Sequence, residues 1–250
     1  IMVRNRTSTG IENLDNLMDG GIPEGNSVLL VGPAGSGKTT FGLLFAVEQA
    51  KHDKTAVCLF VGQEKTGVIE SMDGFGNFYE EIKKLQNEGK LLLFNWEDLC
   101  KKYSIEGKNS DGEIAINKRG LLAAIEKIVI DFKASILVID SITAIMDLCD
   151  DRDKRNLFYN LSKTLVANKC TSILICELRS FSGITISPVT NEVTEYMVDG
   201  VIRLETTQDL NPKRRIQVTK MRGTDILMEK REYYLTKGKG INVTLARGVS

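Results

Sequence analysis

A glycine-rich stretch between an apolar run and a helical pattern constrains the fold of this chain more than any other feature. The sequence SVLLVGPAGSGKTT, residues 27–40, contains the pattern G-x-x-x-x-G-K-[ST] at positions 32–39. Glycines let backbone N–H groups wrap closely around a chain of phosphates. The following helix directs the positive end of its dipole at the same anion. The succession of strand, loop and helix therefore predicts a nucleotide-binding α/β fold.

The residue types in the loop predict how a nucleotide and a metal are held. Lys38 brings a positive charge to the β- and γ-phosphates, and the Thr39 hydroxyl can ligate Mg²⁺. The residues expected to cradle ATP are Gly32, Pro33, Ala34, Gly35, Ser36, Gly37, Lys38, Thr39 and Thr40. Asp140, which ends the apolar run of SILVIDS, is the second predicted Mg²⁺ ligand, because sites in open α/β sheets lie where strands end. An Asp here would also suit a helix N-cap, and its pairing with the loop favours the metal role.

The third group that hydrolysis requires is one that activates water. The stretch CLFVGQEK places Glu64 just past the second apolar run. A carboxylate there can accept the proton of the attacking water or orient it. The pattern alone favours an exposed loop glutamate, so this residue depends on further evidence.

The order of apolar runs and helical patterns predicts the architecture. Apolar runs occupy residues 27–32, 55–62, 91–96, 135–141 and 171–178, with helical patterns at 41–52, 119–132 and 155–169. Such alternation predicts a mostly parallel central sheet covered by helices on both faces. In the tail, GVIRLE, RRIQVTKM, REYYLTKG and INVTL predict antiparallel strands at the C-terminal edge. The polar stretch 101–118 is expected to be an exposed insertion, and 180–194 a long functional connection.

Composition excludes several classes of protein. The 250 residues have 33 Lys+Arg and 33 Asp+Glu, so net charge does not draw the whole chain to nucleic acid or membrane. The longest apolar runs are far too short to span a bilayer. Five scattered cysteines, none spaced as CxxC, indicate reduced thiols and a cytoplasmic location. Together with a single histidine, this spacing argues against a Cys/His metal site. We expect one domain over residues 1–250.

Motifs beyond the loop make the chain resemble a known family. TGIENLDNLMDGGIPEG precedes the loop, LFVGQE and ILVIDSITAI follow it, and VDGVIRL and TKMRGTD come near the end. This order resembles the KaiC-like ATPases of the RecA superfamily, over about residues 7–245. The resemblance implies a RecA-type P-loop core, ATP hydrolysis with Mg²⁺, and self-assembly into rings, commonly homohexamers, with ATP between subunits.

The same resemblance implies roles for single residues. Glu64 falls at the family's catalytic glutamate, and Lys220 and Arg222 of KMRGT fall at the pair that reaches the γ-phosphate of the neighbouring subunit. An arginine supplied in trans stabilises charge on the transferring phosphoryl group. A basic hairpin tip that is merely solvated is the alternative for KMRGT.

The chain departs from the family pattern at two places. KaiC-like sequences often have two adjacent glutamates where this chain has Glu64 and Lys65. A cation beside the predicted base is expected to alter the hydrolysis rate. The two-domain clock protein of this family phosphorylates a Ser-Thr pair in its second domain. Those positions fall at Glu195 and Tyr196 here, which disfavours clock-type phosphorylation, although Thr194 is adjacent.

Three functions are compatible with these features. The first is a ring-forming ATPase whose cycle drives conformational or partner-binding changes. The second is a recombinase paralogue that binds single-stranded DNA through the loop 179–195, which includes Arg179 and Phe181 but lacks the dense basic and aromatic residues that strand binding favours. KRR at 213–215 is a further candidate DNA patch. The third is a nucleotide-gated interaction module with little turnover, which Lys65 makes plausible.

Overall fold

A computed structural model of the chain describes residues 5–72, 77–104, 106–108, 114–116, 118–147, 151–181, 184–186, 196–207, 210–237 and 239–245. The first strands and helices are β1 (Arg6–Thr7), β2 (Ile22–Pro23), β3 (Ser27–Pro33), α1 (Lys38–Lys51), β4 (Ala56–Phe60), α2 (Lys65–Ser71), α3 (Phe78–Asn87), β5 (Leu91–Asn95), α4 (Trp96–Tyr103), β6 (Glu106–Lys108) and β7 (Ile114–Ile116). The remaining ones are α5 (Lys118–Asp131), β8 (Ile136–Asp140), α6 (Ile142–Met146), α7 (Asp151–Ala167), β9 (Thr171–Phe181), β10 (Ile184–Ile186), β11 (Gly200–Thr206), β12 (Arg214–Met221), β13 (Arg231–Thr236) and β14 (Gly240–Val243).

Within the described residues, ten strands form one sheet. Its order is β14-β13-β12-β11-β3-β9-β8-β4-β5, and β10 pairs with β9. The strands from β11 to β5 in this order are parallel to one another. The tail strands β12, β13 and β14 add to β11 in antiparallel pairs. The predicted fold class, a mostly parallel sheet with antiparallel strands at its C-terminal edge, is therefore confirmed.

The central strands are apolar throughout because both of their faces are covered. In β3, Val28 and Leu30 point into one apolar layer, and Leu29 and Val31 into the other. The first layer contains buried residues of α1, α2 and α3, and the second contains buried residues of α4, α5, α6 and α7. The two layers account for the predicted helices on both sides of the sheet.

The strand register brings the ends of the central strands to one edge of the sheet. Gly32 of β3 lies opposite Glu177 of β9, and Asp140 of β8 lies opposite Phe60 of β4. Parallel strands share a direction, so their carboxyl ends meet at the same edge. This edge therefore contains the glycine loop, Asp140 and the chain that leads to Glu64.

Several expectations about local structure need correction. The polar stretch 101–118 contains the last residues of α4 and a short antiparallel pair, β6 with β7. Strand β9 continues to Phe181 and pairs with β10, so the predicted connection 180–194 begins with a hairpin. The rest of the proposed DNA loop, with Thr194 and Glu195, lies outside the described residues, as do the side chains of Arg179 and Phe181.

The cysteines agree with the expected reduced thiols. Cys58, Cys100, Cys170 and Cys176 are free and buried, whereas Cys149 lies outside the described residues. Burial raises the pKa of Cys170 to about 12. Among the helices of the described chain, none has the length and apolar character required to cross a membrane.

Two helical glycines give a matched test of the packing. A Cβ on Gly42 of α1 would lie 2.8 Å from Val138 Cγ1, on a side chain that is stiff at χ1, whereas a Cβ on Gly67 of α2 would meet nothing within 4 Å. We expect Gly42→Ala to lower the free energy of unfolding by about 1–3 kcal/mol, because the close approach of helix and sheet is lost. Gly67→Ala should raise it by up to about 1 kcal/mol through helix propensity. Urea denaturation of both variants measures this, and equal effects would contradict the packing account.

Candidate functional site

The glycine loop connects β3 to α1 in a conformation that its sequence makes possible. Gly35 and Gly37 have φ angles of 72° and 85°, in the left-handed region that side chains rarely adopt. Gly32 is required for a different reason, since a Cβ there would lie 2.7 Å from Ser36 Oγ and 2.9 Å from the Leu204 Cβ. Helix α1 begins at Lys38, directly after the loop and three residues before the predicted helical pattern, so its N-terminal N–H groups face the loop.

Side chains inside the loop fix its shape. The Lys38 ammonium donates to the Pro33 carbonyl at 2.7 Å, and the Ser36 hydroxyl donates to the same carbonyl at 2.8 Å. From β13, the buried Tyr233 hydroxyl donates to the Ser36 carbonyl at 2.5 Å. The loop is therefore preorganised by its own residues and by one tyrosine of the antiparallel edge.

Thr39 and Asp140, the two predicted metal ligands, are in direct contact. The Thr39 hydroxyl donates to the Asp140 carboxylate at 2.6 Å. Asp140 does not cap the next helix, because Ser141 is the N-cap of α6 and accepts from the Ala144 N–H at 3.3 Å. The alternative role considered for Asp140 is therefore taken by its neighbour.

These groups surround a cavity of about 370 Å³ at the carboxyl edge of the sheet. The cavity is lined by Ala34, Gly35, Gly37, Lys38, Thr39, Thr40, Gln63, Asp140, Ser141, Glu177 and Leu235. Most of the predicted loop residues are thus at one cavity, together with four residues that the sequence analysis did not select: Gln63, Ser141, Glu177 and Leu235.

The cavity contains partly buried groups of opposite charge, which affect the pKa values of Lys38 and Asp140. Burial lowers the pKa of Lys38, while the negative charges of Glu177 and Asp140 act in the opposite direction. Burial likewise raises the pKa of Asp140, and the hydrogen bond from Thr39 and the charge of Lys38 act against it. Lys38 is only 8% exposed, so its charge acts through a medium of low dielectric. A polyanion entering this cavity would interact strongly with that ammonium.

The donor set fits Mg²⁺ together with phosphate. Thr39 and Asp140 are oxygen ligands of the kind that Mg²⁺ prefers, and Mg²⁺ is usually bound by one or two carboxylates plus substrate phosphates. In the part of the chain that the structure describes, no group of three or more His, Cys, Asp or Glu side chains could hold a metal by itself. With two protein oxygen ligands in contact, Thr39 and Asp140, the site fits an ion that arrives with a nucleotide.

Glu64 lies next to the cavity and is held by a neighbouring helix cap. It is the exposed N-cap of α2, and the Asn95 side-chain amide donates to its carboxylate at 3.5 Å. Lys65 contacts the Asp98 carboxylate at 2.5 Å, so its charge is paired with α4. Gln63, one residue earlier, is the member of this segment that lines the cavity.

Lys220 and Arg222 lie at the other end of the sheet. Strand β11 pairs with β3 so that Gly200 is opposite Val28, and β12 runs back to place Met221 opposite Gly200. The pair of cations is therefore near the start of β3, whereas the glycine loop is at its end. The structure does not bring these two predicted site residues to the loop of their own chain.

A comparison with protein-family models identifies the family to which this fold belongs. The model described as "ATPase: KaiC" matches residues 7–247. The chain belongs to the KaiC family of ATPases. KaiC-like proteins are a branch of the RecA superfamily, so the chain is a nucleotide-binding protein with a RecA-type core, as the sequence resemblance implied.

Individual KaiC-like relatives match nearly the whole chain. A UPF0273 protein of Methanopyrus kandleri is 30% identical, over 97% of this chain and 93% of the relative. The circadian clock protein KaiC3 of Synechocystis is 29% identical over 94% of this chain but only 45% of its own length. The crystal structure of a KaiC-like protein of Pyrococcus horikoshii superposes with a TM-score of 0.76 at 28% identity, covering 97% and 100% of the two chains.

Of the residues that sequence reasoning missed, Glu177 could have been found from its position. Like Asp140, it ends an apolar run of a parallel strand, at the edge where α/β sites lie. Leu235 comes from the antiparallel tail, and no local pattern indicates that this strand reaches the loop of a KaiC-like core.

Replacement of Lys38 tests the loop of this KaiC-like site. We expect Lys38→Met to remove the increase in melting temperature that Mg–ATP gives the wild type, since binding to the folded state is what raises stability. Without nucleotide the variant should be as stable as wild type, because a partly desolvated ammonium is replaced by an apolar side chain. Lys54→Met, which removes a lysine paired with Glu24 at 2.8 Å outside the cavity, is the control. An unchanged ATP-dependent shift in Lys38→Met would contradict the loop assignment.

Proposed function

We propose that this chain is a Mg²⁺-dependent ATPase, a single KaiC-like domain over residues 1–250 whose copies assemble into a homohexameric ring. ATP would lie between adjacent copies, and its hydrolysis would change the conformation of the ring or its binding to a partner. Membership of the KaiC family supports nucleotide binding and ATPase chemistry. The distance between the cavity at the glycine loop and the cation pair Lys220 and Arg222 supports the shared site.

The observation on which the proposal depends is the separation of Arg222 from its own loop. Arg222 contacts Asp199, whose carboxylate also accepts from the N–H of Ser27, the first residue of β3. From Ser27 to Gly32 the strand extends roughly 16 Å at about 3.3 Å per residue. A guanidinium held at the start of β3 therefore acts on the phosphates of another copy, or on none.

The residues at the cavity have complementary roles in this proposal. Lys38 and the N–H groups of the loop bind the phosphates, and Thr39 with Asp140 would hold Mg²⁺, which neutralises negative charge on phosphate oxygens. Glu64 orients the attacking water or accepts its proton. Lys220 and Arg222 of the neighbouring copy stabilise the charge that develops on the transferring group.

The surface around Arg222 is suited to contact with a second copy of the chain. A groove of about 550 Å³ lies between α7 and the segment before β11, and Arg222 is at its wall. Its apolar side chains are open to solvent: Tyr159 is 62%, Val166 57% and Tyr196 70% exposed. Contiguous exposed apolar surface of this kind is typical of protein interaction sites. It supports contact with a second copy on the side from which Arg222 would reach a neighbour.

Glu64→Gln separates binding from chemistry. We expect the variant to keep the ATP-dependent increase in melting temperature and to lose turnover by about 100-fold or more, since an amide cannot accept the proton. Glu70→Gln changes another exposed carboxylate of α2 and should leave turnover unchanged. If Glu64→Gln remains active while Gln63→Ala is inactive, Glu64 is not the base, and the attacking water is oriented by Gln63, which lines the cavity.

Mixing two inactive variants tests whether the site is shared. Lys38→Met lacks a functional loop, and Arg222→Ala lacks the guanidinium, so each alone should hydrolyse ATP poorly. After subunit exchange in a 1:1 mixture, about a quarter of the interfaces should pair an intact loop with an intact Arg222, and phosphate release should reappear.

An arginine that acts within its own chain gives the opposite result. Neither chain of the mixture then has both groups, and phosphate release stays at the sum of the two separate proteins. Mixtures of Lys38→Met with Lys54→Met provide the positive reference, because the second chain is expected to be fully functional.

A further inference from the structure

The motif VDGVIRL contains one acidic residue with several contacts that the proposed chemistry does not explain. One carboxylate oxygen of Asp199 accepts from the Ser27 N–H at 3.0 Å. The other lies 3.4 Å from Nη1 of Arg222. The Asp199 carbonyl accepts from the Arg222 N–H at 2.8 Å. A single aspartate thus contacts both the main chain and the side chain of Arg222.

The residues just before Asp199 hold the same cation pair. The Lys220 ammonium donates to the Val198 carbonyl at 2.6 Å, and Nη2 of Arg222 donates to the Tyr196 carbonyl at 3.0 Å. We call residues 196–199 the platform. Three of its contacts use the main-chain carbonyls of Tyr196, Val198 and Asp199, which any residue could supply. The contact between the Asp199 side chain and the Arg222 guanidinium, in contrast, requires a carboxylate.

We propose that Asp199 is a positioning residue, which orients the Arg222 guanidinium toward the phosphates bound by a neighbouring copy. This inference rests on the proposed shared site. Arg222 is 56% exposed, and an exposed arginine loses considerable side-chain entropy when it is fixed in one orientation. The Asp199 carboxylate and the Tyr196 carbonyl restrict the guanidinium before a nucleotide is present, so less of that entropy is lost when the phosphates are bound.

The two oxygens of Asp199 allow the roles of this residue to be separated. An asparagine is nearly the same shape, and its amide oxygen can still accept from the Ser27 N–H, which keeps the contact with β3. The amide has no negative charge for the guanidinium. Asp199→Asn therefore weakens the contact with Arg222 and leaves the strand that leads to the chain's own loop in place.

The test mixes Asp199→Asn with an excess of either Lys38→Met or Arg222→Ala. Asp199→Asn alone should show turnover reduced by about twofold to tenfold, as expected for one half-exposed charge pair, with an unchanged ATP-dependent increase in melting temperature. Excess Lys38→Met surrounds each Asp199→Asn chain with neighbours that have intact Asp199 and Arg222. Turnover per Asp199→Asn chain should then return to the wild-type value. Excess Arg222→Ala should leave it at the reduced value, because each Asp199→Asn guanidinium then serves one intact Arg222→Ala loop.

A role of Asp199 within its own chain predicts the reverse pattern. If the substitution damages the loop through Ser27, excess Lys38→Met leaves turnover per Asp199→Asn chain low. That result, or wild-type turnover of Asp199→Asn alone, would overturn the inference. Asp225→Asn, an exposed carboxylate in the same turn as Arg222, is the control and should behave as wild type in every mixture.

The mixture of Lys38→Met with Arg222→Ala distinguishes this inference from the proposed function. A shared site predicts that phosphate release reappears in that mixture, because the intact loop of Arg222→Ala meets the intact Arg222 of Lys38→Met. No recovery in that mixture would contradict the shared site itself. Recovery there, without rescue of Asp199→Asn by Lys38→Met, would contradict only the positioning role of Asp199.

Discussion

The parallel pairing of β3 with β9 and β11 is the constraint on which the rest of the structure depends. It fixes the glycine loop at one end of β3, next to Glu177. At the other end of β3, the Asp199 carboxylate accepts a hydrogen bond from the Ser27 N–H. Because the strand is buried on both faces, its ends cannot shift independently. The distance between the phosphate cavity and Arg222 within one chain is therefore set by strand length, and the proposal of a site shared between copies follows from it.

The phosphate cavity illustrates how function opposes stability. Lys38 is almost fully buried, and this burial lowers its pKa. The nearby carboxylates of Asp140 and Glu177 partly offset the effect. An apolar group at this position would avoid the desolvation. The buried ammonium is explained by what it can bind, since an electrostatic interaction with phosphate is much stronger in such a medium than in water.

The sequence was most informative where a chemical requirement is local. The glycine loop, the start of α1 and the position of Asp140 at a strand end follow from short patterns, because each depends on residues that are adjacent in the chain. Helix α4 was missed, since Trp96 continues an apolar run and the Asn95 cap is visible only once the strand end is known. The positions of Leu235 and Arg222 depend on strand order in the tail, which no local pattern specifies.

The most direct test of the central claim is the turnover of wild-type protein as a function of its concentration, measured together with its mass in solution. A site built from two copies predicts that phosphate release per chain declines on dilution, in parallel with the fall in mass toward that of one 27.7 kDa chain. Turnover per chain that stays constant after the protein has dissociated to monomers would contradict the shared site.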